Sequence, residues 1–208
     1  MFVTFEGIDG SGKTTQAVLL ADWLAAGGAE ALLLREPGGT PLGERLREVL
    51  LDGPAMTPAA EAALFAASRA ELVETVIRPA LDRGATVVCD RYVDSSLVYQ
   101  GVGRGLGIEA VLELNAIATG GLFPDRTFVL LLDPADSAAR RAGAPDRIER
   151  EGDAFVRRLD AGYRTIVSTF PERCVALDAM RPADELAEEV RDRLAGSRAG
   201  AARGEAPA

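Results

Sequence analysis

The segment Gly7-Ile8-Asp9-Gly10-Ser11-Gly12-Lys13-Thr14 satisfies G-x-x-x-x-G-K-[ST] at every required position, and Thr15 follows it. Glycines so placed let backbone N–H groups converge on phosphate oxygens, and the N-terminus of a following helix adds its positive end. In such a loop the lysine ammonium bridges the β- and γ-phosphates of ATP, and the Thr hydroxyl is offered to Mg²⁺. Gly7, Ile8, Asp9, Gly10, Ser11, Gly12, Lys13, Thr14 and Thr15 are the expected ATP-binding residues, with Lys13 a catalytic cation. A glycine-rich turn that merely caps a helix is the bland alternative. The strand before the loop and the helix after it weigh against that alternative.

The composition narrows the chemistry further. The chain has 208 residues and no histidine, which removes Ser-His-Asp and Cys-His catalysis and every His-ligated metal. Two cysteines, Cys89 and Cys174, can build neither a disulfide framework nor a Cys-only zinc site. They read as small buried hydrophobes. Of 23 basic residues all but Lys13 are arginine, and the formal net charge is −9. That balance argues against binding nucleic acid through a broad basic face, while a compact cationic pocket stays allowed. With a single lysine, the guanine-specifying N-K-x-D segment of a nucleotide switch cannot occur outside the loop.

Five continuous apolar runs read as strands covered on both faces: Phe2–Glu6, Ala31–Leu34, Ala85–Asp90, Thr127–Asp133 and Cys174–Asp178. Helical patterns alternate with them at Lys13–Ala26, Pro41–Leu51, Pro58–Arg78, Ile108–Thr119, Ala154–Thr169 and Pro182–Ala195. This alternation predicts an α/β fold with a five-stranded, doubly wound parallel sheet. Thr40-Pro41 and Thr57-Pro58 have the form of an N-cap followed by Pro at the first helical position. Pro79 is expected to end or kink the third helix. Leu42, Leu46, Val49 and Leu50 form an apolar stripe on the second helix. Residues 1–195 are expected to make one domain, with a flexible tail at 196–208. Gly101–Gly107 fails the dinucleotide fingerprint and reads as a flexible loop carrying Arg104. Met1–Phe5 runs straight into the phosphate loop, and no apolar run approaches the ~18 residues of a membrane span. The expectation is a cytoplasmic protein without a membrane partner.

A phosphate loop does not say what receives a phosphoryl group. Arg35-Glu36-Pro37-Gly38-Gly39-Thr40 follows the second strand at the carboxyl end, where such sheets bind ligands. Phe65 and Arg69 share one face of the third helix. An aromatic ring and a planar donor suit a pyrimidine with a carbonyl at position 4, whereas core packing for Phe65 and a solvated charge for Arg69 are the ordinary readings. Asp90-Arg91-Tyr92 ends the third strand. Asp90 suits either a capping carboxylate or a metal-water ligand, and Arg91 either a phosphate contact or a surface ion pair. Arg140, Arg141 and Arg147 cluster before Ile148-Glu149, where a solvated charged helix end is the alternative.

FEGIDGSGKTT, LLREPGGT, LFAASR, VVCDRYVDSSLVYQGVGRG and PDRIE, in this order and spacing, resemble the thymidylate kinase family from Phe2 to about Leu194. The resemblance implies a P-loop kinase fold of three layers, ATP as donor with Mg²⁺, dTMP as acceptor, and a homodimer packed through Pro58–Arg78 and Ile108–Thr119. It implies that Phe65 stacks on thymine, Arg69 reaches the far edge of the base, and Ser96 and Gln100 lie near it. Asp9 would contact the sugar 3′-hydroxyl and, with Thr14 and Asp90, help to organise the metal. Arg91 would contact the acceptor phosphate, with Arg35 a weaker candidate, and Glu149 would border sugar and phosphate. Tyr99 would pack against the 2′-position, although a loop-packing role competes. Some members carry an Arg after the loop Asp; here Gly10 stands there, so a transition-state arginine is expected from a mobile lid at about 140–153. Arg147 matches best and Arg141 is the second candidate. Asp178-Ala179-Met180 would lie beside adenine.

Overall fold

The structure, a computed structural model, describes residues 1–140 and 146–201, with side chains to residue 195. Among these residues the strands are β1 (Phe2–Glu6), β2 (Ala31–Arg35), β3 (Thr86–Asp90), β4 (Arg126–Leu131) and β5 (Cys174–Asp178). They form one parallel sheet in the order β2-β3-β1-β4-β5. The expected α/β, five-stranded parallel architecture is present. β1 lies at the centre and every one of its residues is buried, so its unbroken apolar character follows from helices on both faces. Its one hydroxyl, Thr4, is satisfied across the sheet by Thr127 Oγ1 at 2.8 Å. That pair leads to buried Asp94, which Arg173 grips with both terminal nitrogens at 2.5 and 2.7 Å.

The sheet is flanked by α1 (Lys13–Ala26), α2 (Pro41–Asp52), α3 (Pro58–Leu72), α4 (Arg78–Asp82), α5 (Val93–Ser96), α6 (Ile108–Thr119), α7 (Pro134–Arg140), α8 (Asp153–Thr169) and α9 (Ala183–Ala201). Thr40 Oγ1 accepts from Gly43 N–H and Thr57 Oγ1 from Ala60 N–H, so both expected caps are in place. Pro79 does not stop the third helical run. A wide turn at Val73–Ile77, with hydrogen bonds one residue longer than in an α-helix, precedes it, and α4 carries on to Asp82. A proline has no N–H to give the preceding turn, and the wide turn absorbs that loss.

Several expected boundaries are corrected. Residues 93–103 are helical, as α5 followed by a wide-turn segment Leu97–Gly103, so Gly101–Gly103 is not loop. Asp, Ser and Gly are weak helix formers, but buried Val93, Leu97 and Val98 tie the segment to the core. Gly103 is needed there, because a Cβ at that position would lie 2.8 Å from the Phe155 ring on α8. The fourth strand ends at Leu131 rather than Asp133. Asp133 instead caps α7, its Oδ1 accepting Ala135 N–H at 2.8 Å ahead of Pro134 at the first helical position. On α2 only Leu50 of the expected stripe is buried, and Leu42 and Val49 are 47% and 43% exposed. α9 runs on to Ala201, and residues 202–208 of the expected tail lie outside the described residues. No helix among the described residues is long and apolar enough to cross a membrane.

Candidate active site

β1 and β3 are neighbours, and the loops leaving their carboxyl ends open a cleft of about 860 Å³. Such sheets bind ligands at this position, where the strand order reverses. Along one wall the loop from Gly7 delivers α1. Gly7 has φ +139°, and a Cβ there would stand 2.5 Å from the Leu130 carbonyl, so only glycine fits this corner. Gly12, the residue before α1, brings no side-chain cap. The first N–H groups of α1 are therefore left for a ligand. Lys13 is buried, donates to the Ile8 carbonyl at 2.9 Å and stands 3.8 Å from Asp9. Burial and the nearby Arg91 guanidinium push its ammonium down to about 8.

Arg91 is the hub of the cleft. Its backbone has φ +73°, the left-handed region that non-glycine residues rarely occupy, and this turns its side chain under the phosphate loop. The guanidinium donates to the Gly7 carbonyl at 3.1 Å, to Ser95 Oγ at 3.1 Å, to Tyr163 OH at 3.3 Å and to Asp9. It also lies over the Tyr99 ring, 5.2 Å from the centroid. Tyr99 OH donates to the other oxygen of Asp9 at 3.3 Å. Burial alone would raise the Asp9 carboxyl, but Arg91 and Lys13 overcome it and hold the group at about 2. Thr14 Oγ1 donates to Asp90 Oδ2, while Asp90 Oδ1 is buried without a partner. Thr14 and Asp90 are the hard-oxygen donors here, and no group of three or more acidic or thiol side chains that could hold a metal occurs among the described residues.

At the far end of the cleft Phe65 is half-buried and Arg69 is 1% exposed. Arg69 is fixed by Glu36 at 2.6 Å, Ser96 Oγ at 3.0 Å, the Tyr92 carbonyl at 3.0 Å and Asn115. The solvated-charge reading of Arg69 fails. Ser96, Tyr99 and Gln100 line the same cleft, on a helical segment that was not among the expected helices. Arg35 lines it too, although it is exposed and paired with Glu44 at 3.1 Å. Cys89 and Cys174 are buried, and burial pushes both thiols up, Cys174 to about 12. Neither is a nucleophile.

The structure describes the expected lid at Arg140 and from Asp146 onward. Arg141 lies outside the described residues. Arg147 does not reach the phosphate loop among them. It is turned onto Glu61 of α3 at 2.7 Å and onto the carbonyl of Leu50 at 2.8 Å, and its own N–H donates to the Leu51 carbonyl at 2.9 Å. Ile148 beside it is buried in the core, whereas Arg150 and Glu151 are exposed. Glu149 accepts the Asp146 N–H at 3.0 Å and lines a narrow hollow with Asp9 and Tyr99, next to the cleft rather than in it. Arg140 reaches the Ala179 carbonyl at 3.0 Å, joining α7 to the segment after β5.

Two residues of the site were missed in the sequence, one lining the cleft and one buried behind Gln100. Arg47 of α2 lines the cleft and donates to the Pro37 carbonyl at 2.9 Å, and burial and Arg35 push its guanidinium down. Its signal was its place on one helix face with buried Gly43 and Leu50, four and three residues away. Glu61, one turn before Phe65, lies on the face that carries Phe65 and Arg69. Its signal was the same spacing.

The family model described as Thymidylate kinase matches residues 5–190. The chain belongs to the thymidylate kinase family. A thymidylate kinase of Deinococcus radiodurans is 51% identical over 195 residues, covering 91% of this chain and 94% of that one. A thymidylate kinase of Chlorobium chlorochromatii is 47% identical, covering 91% and 92%. The crystal structure of thymidylate kinase from Ehrlichia chaffeensis superposes with a TM-score of 0.78 at 34% identity, over 93% of this chain and 98% of that one. The three-layer P-loop kinase fold is thereby shown. As a member of this family the chain is a kinase: it transfers the terminal phosphoryl group of ATP to dTMP and yields dTDP.

Proposed function

We propose that the transfer runs in line between donor phosphates on the Gly7–Thr15 loop and an acceptor phosphate beside Arg91. The observation that carries this reading is Arg91 itself. It touches the Gly7 carbonyl and Asp9 in the loop on one side and packs on Tyr99, neighbour of Gln100 and Ser96, on the other. The attacking atom is a phosphate oxygen of dTMP, already largely ionised near neutrality because its second pKa is about 6. No general base is required, which accounts for a phosphotransfer site without histidine. Catalysis then consists of positioning and neutralising charge.

In this reading Lys13 holds the β- and γ-phosphates, Arg91 and Arg47 hold the acceptor phosphate, and Arg35 supports them from the rim. Phe65 stacks on the base. Ser96, Gln100 and the fully pinned Arg69 shape its edge. Asp9 and Tyr99 face the sugar, with Tyr99 filling the space of a 2′-hydroxyl, and Glu149 stands behind them. Arg141 is assigned to the moving phosphoryl group, and Arg147 to holding the lid. Thr14, Asp90 and Asp9 would hold Mg²⁺, with the unpartnered Asp90 Oδ1 available to a bound water. When bound, the ion supplies neutralisation of charge on the donor phosphates. Adenine is placed beside Ala179 and Met180, where Arg140 donates to both.

A homodimer is part of the proposal. α3 and α6 pack against one another and leave an apolar outer surface, with Ala63 and Ala67 exposed on α3 and Ile117 of α6 83% exposed. Two buried, unpaired cysteines suit a reducing compartment, and the cytoplasm is proposed. A coupled assay with Mg-ATP across dTMP, dUMP, UMP, CMP, AMP and GMP tests the substrate reading. dTMP should be turned over best, and turnover of AMP or CMP above dTMP would overturn it.

A further inference from the structure

Glu61 stands at the crossing of three elements and its carboxylate is 1% exposed. Oε1 accepts Gln100 Nε2 at 2.9 Å and Arg104 Nε at 3.0 Å. Oε2 accepts Arg104 at 3.0 Å and Arg147 at 2.7 Å. Arg104 carries the contact onward to Glu151 and lies over the Phe155 ring, 5.0 Å from its centroid. Buried Glu61 is thus met by two guanidiniums, and exposed Glu151 balances one of them, Arg104, at the rim. Burial would raise the Glu61 carboxyl, but the hydrogen bonds from Arg104, Gln100 and Arg147 hold it below the usual carboxylate range.

The cluster has two consequences for the cleft. An ionised carboxylate only accepts hydrogen bonds, so it fixes which end of the Gln100 amide faces it. The NH₂ turns to Glu61, and the carbonyl is left to accept a hydrogen bond in the cleft that Gln100 lines. An acceptor there suits the N3–H of thymine and opposes the unprotonated N3 of cytosine. On the lid side, Arg147 is drawn back onto Glu61 while its neighbours Asp146 and Ile148 line the cleft. One carboxylate thus sets the polarity of the base subsite and the position of the lid above it.

We propose that Glu61 is a positioning residue for the acceptor, coupling recognition of the pyrimidine edge to the seating of lid residues 146–151. It touches no reacting atom and acts through Gln100 and Arg147. The proposal rests on the placement of the dTMP base between Phe65 and Gln100.

The test compares the full-length enzyme with Glu61→Gln, Arg147→Met, the double variant and Phe65→Ala. Each is assayed with dTMP and dCMP, and hydrogen exchange is followed over residues 146–151 with dTMP bound. Glu61→Gln should raise the KM for dTMP roughly ten-fold or more, with kcat and the KM for ATP within about three-fold of the parent. It should also narrow the dTMP-to-dCMP preference and speed lid exchange. Arg147→Met should speed lid exchange and raise the KM for dTMP while keeping the dTMP-to-dCMP preference. The double variant should be no worse than Glu61→Gln, since both changes break one interaction. Equal rises in both KM values, or parental lid exchange in Glu61→Gln, would overturn the proposal. If Glu61→Gln does not unfold cooperatively, Arg147→Met decides alone: a loss of kcat by ~100-fold with the KM for dTMP unchanged is the signature of a group acting on the moving phosphoryl, and refutes it. An unchanged KM for dTMP in Phe65→Ala would instead remove the base placement, and the proposal with it. An impaired Phe65→Ala beside a parental Glu61→Gln would refute the positioning role alone.

Discussion

Lys13 and Glu6 are both buried ionisable groups, and their environments set opposite pH limits. Burial and Arg91 bring Lys13 down to about 8, so its ammonium loses charge as pH rises through that value. The KM for ATP should therefore climb as pH rises through 8, while the KM for dTMP changes less. An arginine in its place has too broad a head for the narrow loop. Lys13→Arg should cut kcat/KM by roughly 100- to 1000-fold with unfolding unchanged, and near-normal turnover would contradict the assignment. Glu6 lies beneath the loop, bonded to Tyr92 N–H, Ser95 and Tyr163. Burial and the neighbouring Asp94 push it up to about 7, against 4.5 for the free side chain. The folded chain thus keeps a proton that the unfolded chain releases, so this stabilisation is complete below about 4.5 and is lost as pH rises through 7. Thermal unfolding between pH 5 and 8 should show a steeper fall in Tm for the parent than for Glu6→Gln. Chemistry of this kind was only half legible in the sequence. The identity of Lys13 was, because it sits in a contiguous motif. Its depressed pKa was not, because Arg91 comes from a different strand end.

The elements show why the acceptor side was harder to read than the donor side. β1 and α1 announce themselves through an apolar run, a glycine loop and a helical pattern. The segment 93–103 carries Ser96, Tyr99 and Gln100, yet its Asp, Ser and Gly gave no helical pattern and Gly101–Gly103 read as loop. Its helical form comes from what it packs on: Gly103 against Phe155, and Tyr99 edge-on to the same ring at 6.3 Å. Gly103→Ala should therefore cost about 1–3 kcal/mol in denaturant unfolding, because the added methyl meets Phe155 and Leu159 within about 3 Å. The same strain, passed through Phe155 to Tyr99, should raise the KM for dTMP. Arg147 teaches the converse lesson. Its place in Asp-Arg-Ile-Glu suggested a phosphate contact, but α3 offers a buried carboxylate that holds it first.

At the scale of the whole molecule, charge and apolar surface are distributed by partner. In a net-acidic chain Lys13, Arg35, Arg47, Arg69 and Arg91 line one cleft, and Ile117 of α6, beside exposed Ala63 and Ala67 of α3, is 83% exposed. If that face joins two copies, Ile117→Glu should shift the protein to monomer in analytical ultracentrifugation with far-UV circular dichroism unchanged. A monomeric parent, or a variant as dimeric as the parent, would refute this use of the face. The sequence by itself determined the phosphate loop, the five strands and the caps Thr40 and Thr57. Each depends on contacts within a few residues, where identity and spacing suffice. Only the tertiary structure decided how Arg69 is pinned, that Arg47 joins the cleft, and that Glu61 takes up Arg147 from 86 positions away. Those pairings depend on which elements the crossovers bring together. A buried charge settles on the nearest compensating partner that the packing provides, and no local pattern records which one that is.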